Sequence, residues 1–95
     1  MAPPNFYVIS YDVSDDKRRT KVAKAMEDYG ARVQYSVFEC RLHAAELARL
    51  KKRVEPLIKD PTDSLRIYFL DAGSVSRIEV IGKGQVTPDK PYFIN

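Results

Sequence analysis

The stretch Phe6-Tyr7-Val8-Ile9-Ser10-Tyr11-Asp12 decides the fold. Aromatic and β-branched residues dominate it, Pro3-Pro4 precede it and Val13-Ser14-Asp15-Asp16 follow, which is the pattern of a strand. With a period of two, Tyr7, Ile9 and Tyr11 share one face while Phe6 and Val8 take the other, so both faces are largely apolar. The strand ends on a carboxylate, Asp12, just ahead of the basic run Lys17, Arg18, Arg19, Lys21 and Lys24. An acid at a strand end beside that much positive charge points to phosphate chemistry.

Working outward, Ser14 is a good N-cap, and Asp15 and Asp16 in a first turn suit the positive end of a helix dipole. The helix is expected to run to about Tyr29 and stop at Gly30, with Val22, Ala25, Met26 and Tyr29 as its buried stripe. From Ala31 to Leu42 the apolar positions change phase, from Val33, Tyr35 and Val37 to Phe38, Cys40 and Leu42. A slip in a period-two pattern implies a bulge or tight turn near residues 36–38, and so two short strands. Leu47, Leu50, Val54, Leu57 and Ile58 keep helical spacing, which predicts a second helix over about 44–59, ended near Asp60-Pro61. Residues 65–70 read as a strand and 78–81 as a short one, while Gly82, Gly84, Pro88 and Pro91 argue against regular structure beyond. The order βαββαβ plus one further strand predicts a ferredoxin-like α+β sandwich, two helices on one face of an antiparallel sheet. It forms a single domain over 1–95, with its core at about 6–71 and a C-terminal strand and tail over 72–95. Since helices would cover only one face, the apolar second face is expected to meet another surface.

A chain of 95 residues buries only roughly two thirds of its unfolded surface, so burial by a partner subunit would help it. Hydrophobic residues at 44% and charged residues at 31% suit a soluble globular protein, and no apolar run is long enough to span a bilayer. Met1-Ala2-Pro3-Pro4-Asn5 lacks a positively charged start and an apolar signal core, and the single Cys40 can staple nothing within the monomer. Both features predict a cytoplasmic protein. The net charge of +3 is mild, but its distribution is uneven: five of the eight residues from 17 to 24 are basic, and Arg49, Lys51, Lys52 and Arg53 form a second cluster. On charge pattern alone, solvated helix faces account for both clusters.

Asp12 is the acid placed directly at the end of the first strand. In an arbitrary protein such an Asp is most often a turn or cap residue. A magnesium ion, however, is typically held by one or two carboxylates with water and substrate phosphates completing its octahedron, and a two-fold axis could bring a second Asp12 alongside. Asp15 and Asp16 are accounted for by the helix dipole, so a general base has no obvious owner. His43, the sole histidine, lies where strand meets helix and reads as a capping or surface residue; Cys40 alternates with Phe38 and Leu42 and reads as a small buried hydrophobe. The sequence contains no Gly-rich phosphate loop, zinc spacing or dinucleotide fingerprint.

Taken together, Tyr11-Asp12-Val13, Arg18-Arg19 and the block Arg32-Val33-Gln34-Tyr35-Ser36-Val37-Phe38-Glu39-Cys40 resemble the small CRISPR-associated nuclease family that partners the CRISPR adaptation integrase. The resemblance runs from about Phe6 to Leu70. It implies a homodimer with sheets packed face to face, the last strand (residues 78–81 here) pairing with the partner's sheet. It implies Asp12 as the catalytic and metal-binding residue, facing its symmetry mate around Mg2+ or another divalent cation, with phosphodiester hydrolysis of RNA or double-stranded DNA as the reaction. Arg18, Arg19 and Arg32 match the family's basic positions and are expected to contact nucleic acid, for which bidentate Arg geometry is suited; an ion pair with Asp15 or Asp16 is the plainer role for the first two. Tyr11, Ser36 and Phe38 are expected to support the site, though packing and turn formation explain them as well. The family acts in spacer acquisition and antiviral defence, and a non-catalytic DNA-binding scaffold for the integrase is the alternative within it. A sheet-face RNA reader of similar topology would need that domain's aromatic-rich consensus, which is missing from residues 65–70 and which Arg66 does not replace, and an acylphosphatase-like activity would need a phosphate-cradling loop.

Overall fold

The computed structural model of the chain describes residues 2–89. Strand β1 (Asn5–Asp12) is followed by helix α1 (Asp16–Glu27), strands β2 (Ala31–Gln34) and β3 (Val37–Leu42), helix α2 (Ala44–Val54), strand β4 (Ser64–Leu70) and a single helical turn, α3 (Ala72–Val75). The sheet is antiparallel throughout, in the order β2-β3-β1-β4. This is the expected βαββαβ arrangement, with β1 flanked on both sides.

Alternation along β1 sends Tyr7, Ile9 and Tyr11 into a core shared with Phe38, Cys40 and Leu42 of β3, Val22, Ala25 and Met26 of α1, and Leu50 and Val54 of α2. Phe38, Val22, Ala25, Met26 and Cys40 have no exposed surface at all. Burial pushes the Cys40 thiol up to about 12, in keeping with its expected role as an inert small hydrophobe. His43 stands at the start of α2, where its backbone N–H donates to Glu46 at 2.7 Å, again as expected.

Several boundaries differ from the sequence expectation. The cap of α1 is Asp15, whose carboxylate accepts from the Arg18 backbone N–H at 2.9 Å, because Ser14 is drawn instead to Asp63. Gly30 ends the helical segment without a left-handed φ. Its role is close approach: an added Cβ would lie 2.6 Å from the Glu39 carbonyl oxygen and closer still to Cys40 Sγ. The phase change falls in a shift of register between Arg32 and Gln34, just before the turn into β3. Helix α2 ends at Val54 rather than 59 because Pro56 has no N–H to give; the chain tightens into a 3-10 turn over Glu55–Leu57.

The expected strand at 78–81 does not form within the single chain, where these residues pair with no other strand. Beyond them, Gly82 and Gly84 take φ values of 96° and 108°, conformations that favour glycine, and the tail crosses the helix-free face of β3. There the backbone N–H and hydroxyl of Thr87 donate to Glu39 at 2.9 and 2.7 Å, while Arg41 Nε donates to the Thr87 carbonyl at 2.9 Å. Part of the second sheet face is thus covered from within the chain. Residues 90–95, including Pro91 and the end of the expected tail, lie outside the described residues. Among the described residues no helix is long and apolar enough to cross a membrane.

Candidate functional site

Asp12 is exposed at the end of β1 and lies opposite Ser64 of β4. Because side chains alternate, it shares the helix-free face with Ser10, opposite Arg66, and Val8, opposite Tyr68. A hollow of about 350 Å³ opens here, lined by Tyr11, Asp12, Arg66, Tyr68 and the serines at 10, 36 and 64. Ser36 reaches it because the turn between β2 and β3 is tied to β1: the Tyr11 N–H donates to the Ser36 carbonyl at 3.1 Å.

Tyr11 and Phe38 support this arrangement from the opposite side of the sheet. Their rings lie nearly parallel, with centroids 6.3 Å apart, inside the helix-covered core. Tyr11 therefore fixes the strand that carries Asp12, its ring packed in the core while the residue borders the hollow.

The three arginines expected to contact nucleic acid have different surroundings. Arg18 donates to the Leu57 carbonyl at 2.8 Å and is paired with Asp63. The Asp63 side chain is wholly buried and also accepts from the Ser14 backbone N–H at 3.0 Å, the Ser14 hydroxyl at 3.2 Å and the Lys59 N–H at 2.9 Å. These hydrogen bonds, the Ser14 backbone donor first, hold the Asp63 carboxyl well below the usual carboxylate range. Arg18 is thus part of a clamp that joins the start of α1 to the chain entering β4. Sequence reading missed Asp63 because its partner Ser14 lies 49 residues away.

Arg19 is held just past the end of β1, donating to the Val13 carbonyl at 2.7 Å and pairing with Asp16. Arg32 lies over the rings of Phe38 and Tyr35, 5.2 and 5.9 Å from their centroids, with its guanidinium 4.0 Å from Glu27. Tyr35, 73% exposed, interacts with both arginines and gives that corner a cationic and aromatic surface. Arg19 and Arg32 thus converge near the β2–β3 turn, and Arg18 does not join them.

Among the described residues no three His, Cys, Asp or Glu side chains gather as a metal cage. Asp12 offers one carboxylate with serine hydroxyls around it, a set of hard oxygen donors that fits the sparse protein ligation magnesium accepts.

Comparison with known proteins agrees with this architecture. The sequence profile of the family described as CRISPR associated protein Cas2 matches residues 5–78. A CRISPR-associated endoribonuclease Cas2 of Chloroflexus aurantiacus is 44% identical over 89 residues, covering 94% of this chain and 96% of that protein. The crystal structure of Streptococcus pyogenes Cas2 superimposes with a TM-score of 0.70 at 40% identity, over 81% of this chain and 99% of that one. A chain of a partial Cas6-RT-Cas1–Cas2 complex does so with a TM-score of 0.68 at 29% identity, over 81% and 90%. A profile spanning most of the chain, relatives of matching length and a shared ferredoxin-like fold show that this chain belongs to the CRISPR-associated Cas2 family.

Proposed function

We propose that the protein is a cytoplasmic, divalent-metal-dependent endonuclease that works as a homodimer, hydrolysing phosphodiesters of RNA or double-stranded DNA during acquisition of new CRISPR spacers. The observation that carries this reading is Asp12: an exposed carboxylate at a strand end, on the sheet face free of helices, within a hollow lined by hydroxyls and an arginine. The relatives named as endoribonucleases support the activity.

Two Asp12 carboxylates, one from each subunit, would hold Mg2+ or a similar cation. Bound there, the cation supplies a more acidic water and neutralises charge developing on the phosphate. The residues of the chain would do the rest: Asp12 would hold the ion, and Arg19 and Arg32 favour the polyanion at one flank. A water oxygen adds to phosphorus and gives up a proton to solvent, the P–O bond to the leaving nucleoside breaks, and the departing oxygen takes a proton from solvent.

Dimerisation is supported by what the single chain leaves exposed. Val80 is 46% and Ile81 96% exposed, next to a sheet whose β4 edge pairs with no other strand among the described residues. Exchange of residues 78–81 onto the partner's sheet would satisfy both. The likeness to a chain of a Cas1–Cas2 assembly favours the integrase as partner and keeps a second reading in play, a DNA-holding scaffold that does not cut.

Cleavage of labelled RNA and duplex DNA by the native protein and by Asp12→Asn, each confirmed as a folded dimer, with magnesium or chelator, decides between them. Metal-dependent cutting that drops by about 100-fold or more in Asp12→Asn establishes the nuclease. Integrase binding without cutting establishes the scaffold.

A further inference from the structure

Helix α2 does not cover β4 completely. Between them lies a groove of about 340 Å³, lined by Val54, Ile58, Leu65 and Ile67 together with the exposed Lys51 and Glu55. It is on the helix side of the sheet, beside the edge strand, so packing two helix-free faces together leaves it open. Leu65 and Ile67 remain half-buried there, and Lys51 makes no ion pair among the described residues.

Residues 78–81 have the complementary character. Their own chain holds them at both ends: the Ile78 N–H donates to the Val75 carbonyl at 3.1 Å, and beyond them Thr87 is tied to Glu39. Between these anchors they border one hollow with Ala31 and Glu39, on the helix-free side of β2 and β3. Ile78 is half-buried and Val80 is 46% exposed, whereas Glu79 is exposed and Ile81 is 96% exposed. In an extended segment that contrast sorts by parity, with Ile78 and Val80 turned towards their own chain and Glu79 and Ile81 turned away. Once the segment joins the partner's sheet, residues turned towards their own chain lie between the two sheets. Those turned away lie on the partner's helix side, where the groove is.

Antiparallel addition to the β4 edge then matches the groups. With Ile81 across from the partner's Leu65, Glu79 falls across from the partner's Ile67, and opposite residues share a face. The chain turns back between Ile58 and Leu65, closed by the Lys59 N–H bond to Asp63 at 2.9 Å. Ile58 and Leu65 therefore mark one end of the groove, and Lys51 with Ile67 the other. Hydrophobe meets hydrophobe at the first end and carboxylate meets ammonium at the second. Parallel addition would reverse the ends and bring Glu79 to Glu55.

Resting on the homodimer proposed above, and not on its catalysis, we infer that the groove between α2 and β4 is a socket for a second copy of this chain. Ile81 of one subunit seats against the partner's Ile58 and the partner's Leu65, while Glu79 pairs with the partner's Lys51. Two-fold symmetry makes two sockets per dimer. The subunits are thereby gripped on the helix side as well as through their open faces.

The test follows the dimer dissociation constant of the full chain by sedimentation equilibrium, with circular dichroism to confirm the fold. Ile81→Asp should keep native helix content, because the residue is exposed in the single chain, while its dissociation constant rises about 100-fold or more over two sockets. Glu79→Lys and Lys51→Glu should each raise the constant roughly 3-fold to 10-fold, and both together should return it to within about 2-fold of native. Ile81→Asp with a native constant overturns the socket and leaves the dimer standing. A double variant that dimerises no better than either parent also overturns it. Rescue of Glu79→Lys by Arg66→Glu instead of Lys51→Glu would put Glu79 on the opposite face of the exchanged strand, which overturns the assignment as well. A native protein that stays monomeric at every concentration removes the dimer reading, and the socket with it.

Discussion

The two faces of the sheet come from the same strands and have opposite characters. On the helix side, Tyr7, Ile9, Tyr11, Phe38, Cys40 and Leu42 are each at most 7% exposed and pack with α1 and α2. On the other side, Asp12, Arg66 and Tyr68 are exposed in the single chain, and among the described residues the tail is bonded to Glu39 and Arg41 through Thr87. Period-two alternation separates the two faces at single-residue resolution: Tyr11 is core and Asp12, its neighbour, is exposed on the proposed site face. The residues proposed to carry chemistry are therefore not those that hold the fold. Substitutions on the two faces should act on different observables.

The sharpest contrast is between Phe38→Ala and Asp12→Asn. Phe38 is fully buried against Tyr11, so truncating it should cost about 3–5 kcal/mol in urea unfolding. For a domain of this size each kcal/mol lowers the melting temperature by roughly 4–8 °C. Asp12→Asn, at an exposed position, should stay within about 0.5 kcal/mol of the native stability while cutting is abolished. A destabilised Asp12→Asn would break the division of labour between the faces.

The Asp63 clamp belongs to neither face, and pH isolates it. Its carboxyl is held below the ordinary value, so its stabilising contribution is complete above the unfolded pKa of about 3.9 and is lost as pH falls towards the folded one. The native midpoint in denaturant should accordingly decline from about pH 4 downward. Asp63→Asn should be less stable at pH 7 and show a flatter dependence over the same acid range. An equally steep acid decline in that variant would place the responsible carboxylates elsewhere.

How much of this was legible in the sequence depends on the range of the interaction. Phe6 to Asp12 announces its strand by composition, and the phase change between Val33 and Phe38 announces two strands, because period-two alternation is local. The place of Asp12 at the end of that strand was legible for the same reason, while the role proposed for it came from the family resemblance. Helix α2 was overextended since Leu57 and Ile58 keep helical spacing, and Pro56, inside that span, was the overlooked signal. The Ser14–Asp63 bond, which displaces the α1 cap and occupies Arg18, joins distant segments and has no local signature. Arg66 could have been placed: in residues 64–70 it alternates with Ser64 and Tyr68, and pairing this strand with β1 puts all three on the same sheet face as Asp12. Residues 78–81 have the composition of a strand but pair with neither edge of their own sheet.

Gly30 tests how tightly the helix-covered side is closed. Replacing it with Ala puts a methyl group against the Glu39 carbonyl and Cys40 Sγ, one a backbone atom and the other buried, so neither yields easily. The expected cost is about 1–3 kcal/mol in equilibrium unfolding. A neutral Gly30→Ala would show that β3 can shift away from the end of α1, and that the covered face is less rigid than its burial suggests.

Thr87 provides the smallest effect and bears on the boundary between covered and open surface. Thr87→Val keeps the backbone N–H bond to Glu39 and removes the hydroxyl bond at 2.7 Å, at a cost of about 0.5–1.5 kcal/mol. The tail lies over β3, whereas Ser64 and Arg66 are on β4, and β1 runs between them. Loosening the tail should therefore lower the melting temperature slightly and raise protease sensitivity around Gly82 and Gly84, while nucleic-acid affinity and its salt slope stay native. A change in affinity would mean that the tail extends its influence across β1 to the hollow at Asp12. The open face would then be a single surface, and the covered strip over Glu39 and Arg41 would belong to the site.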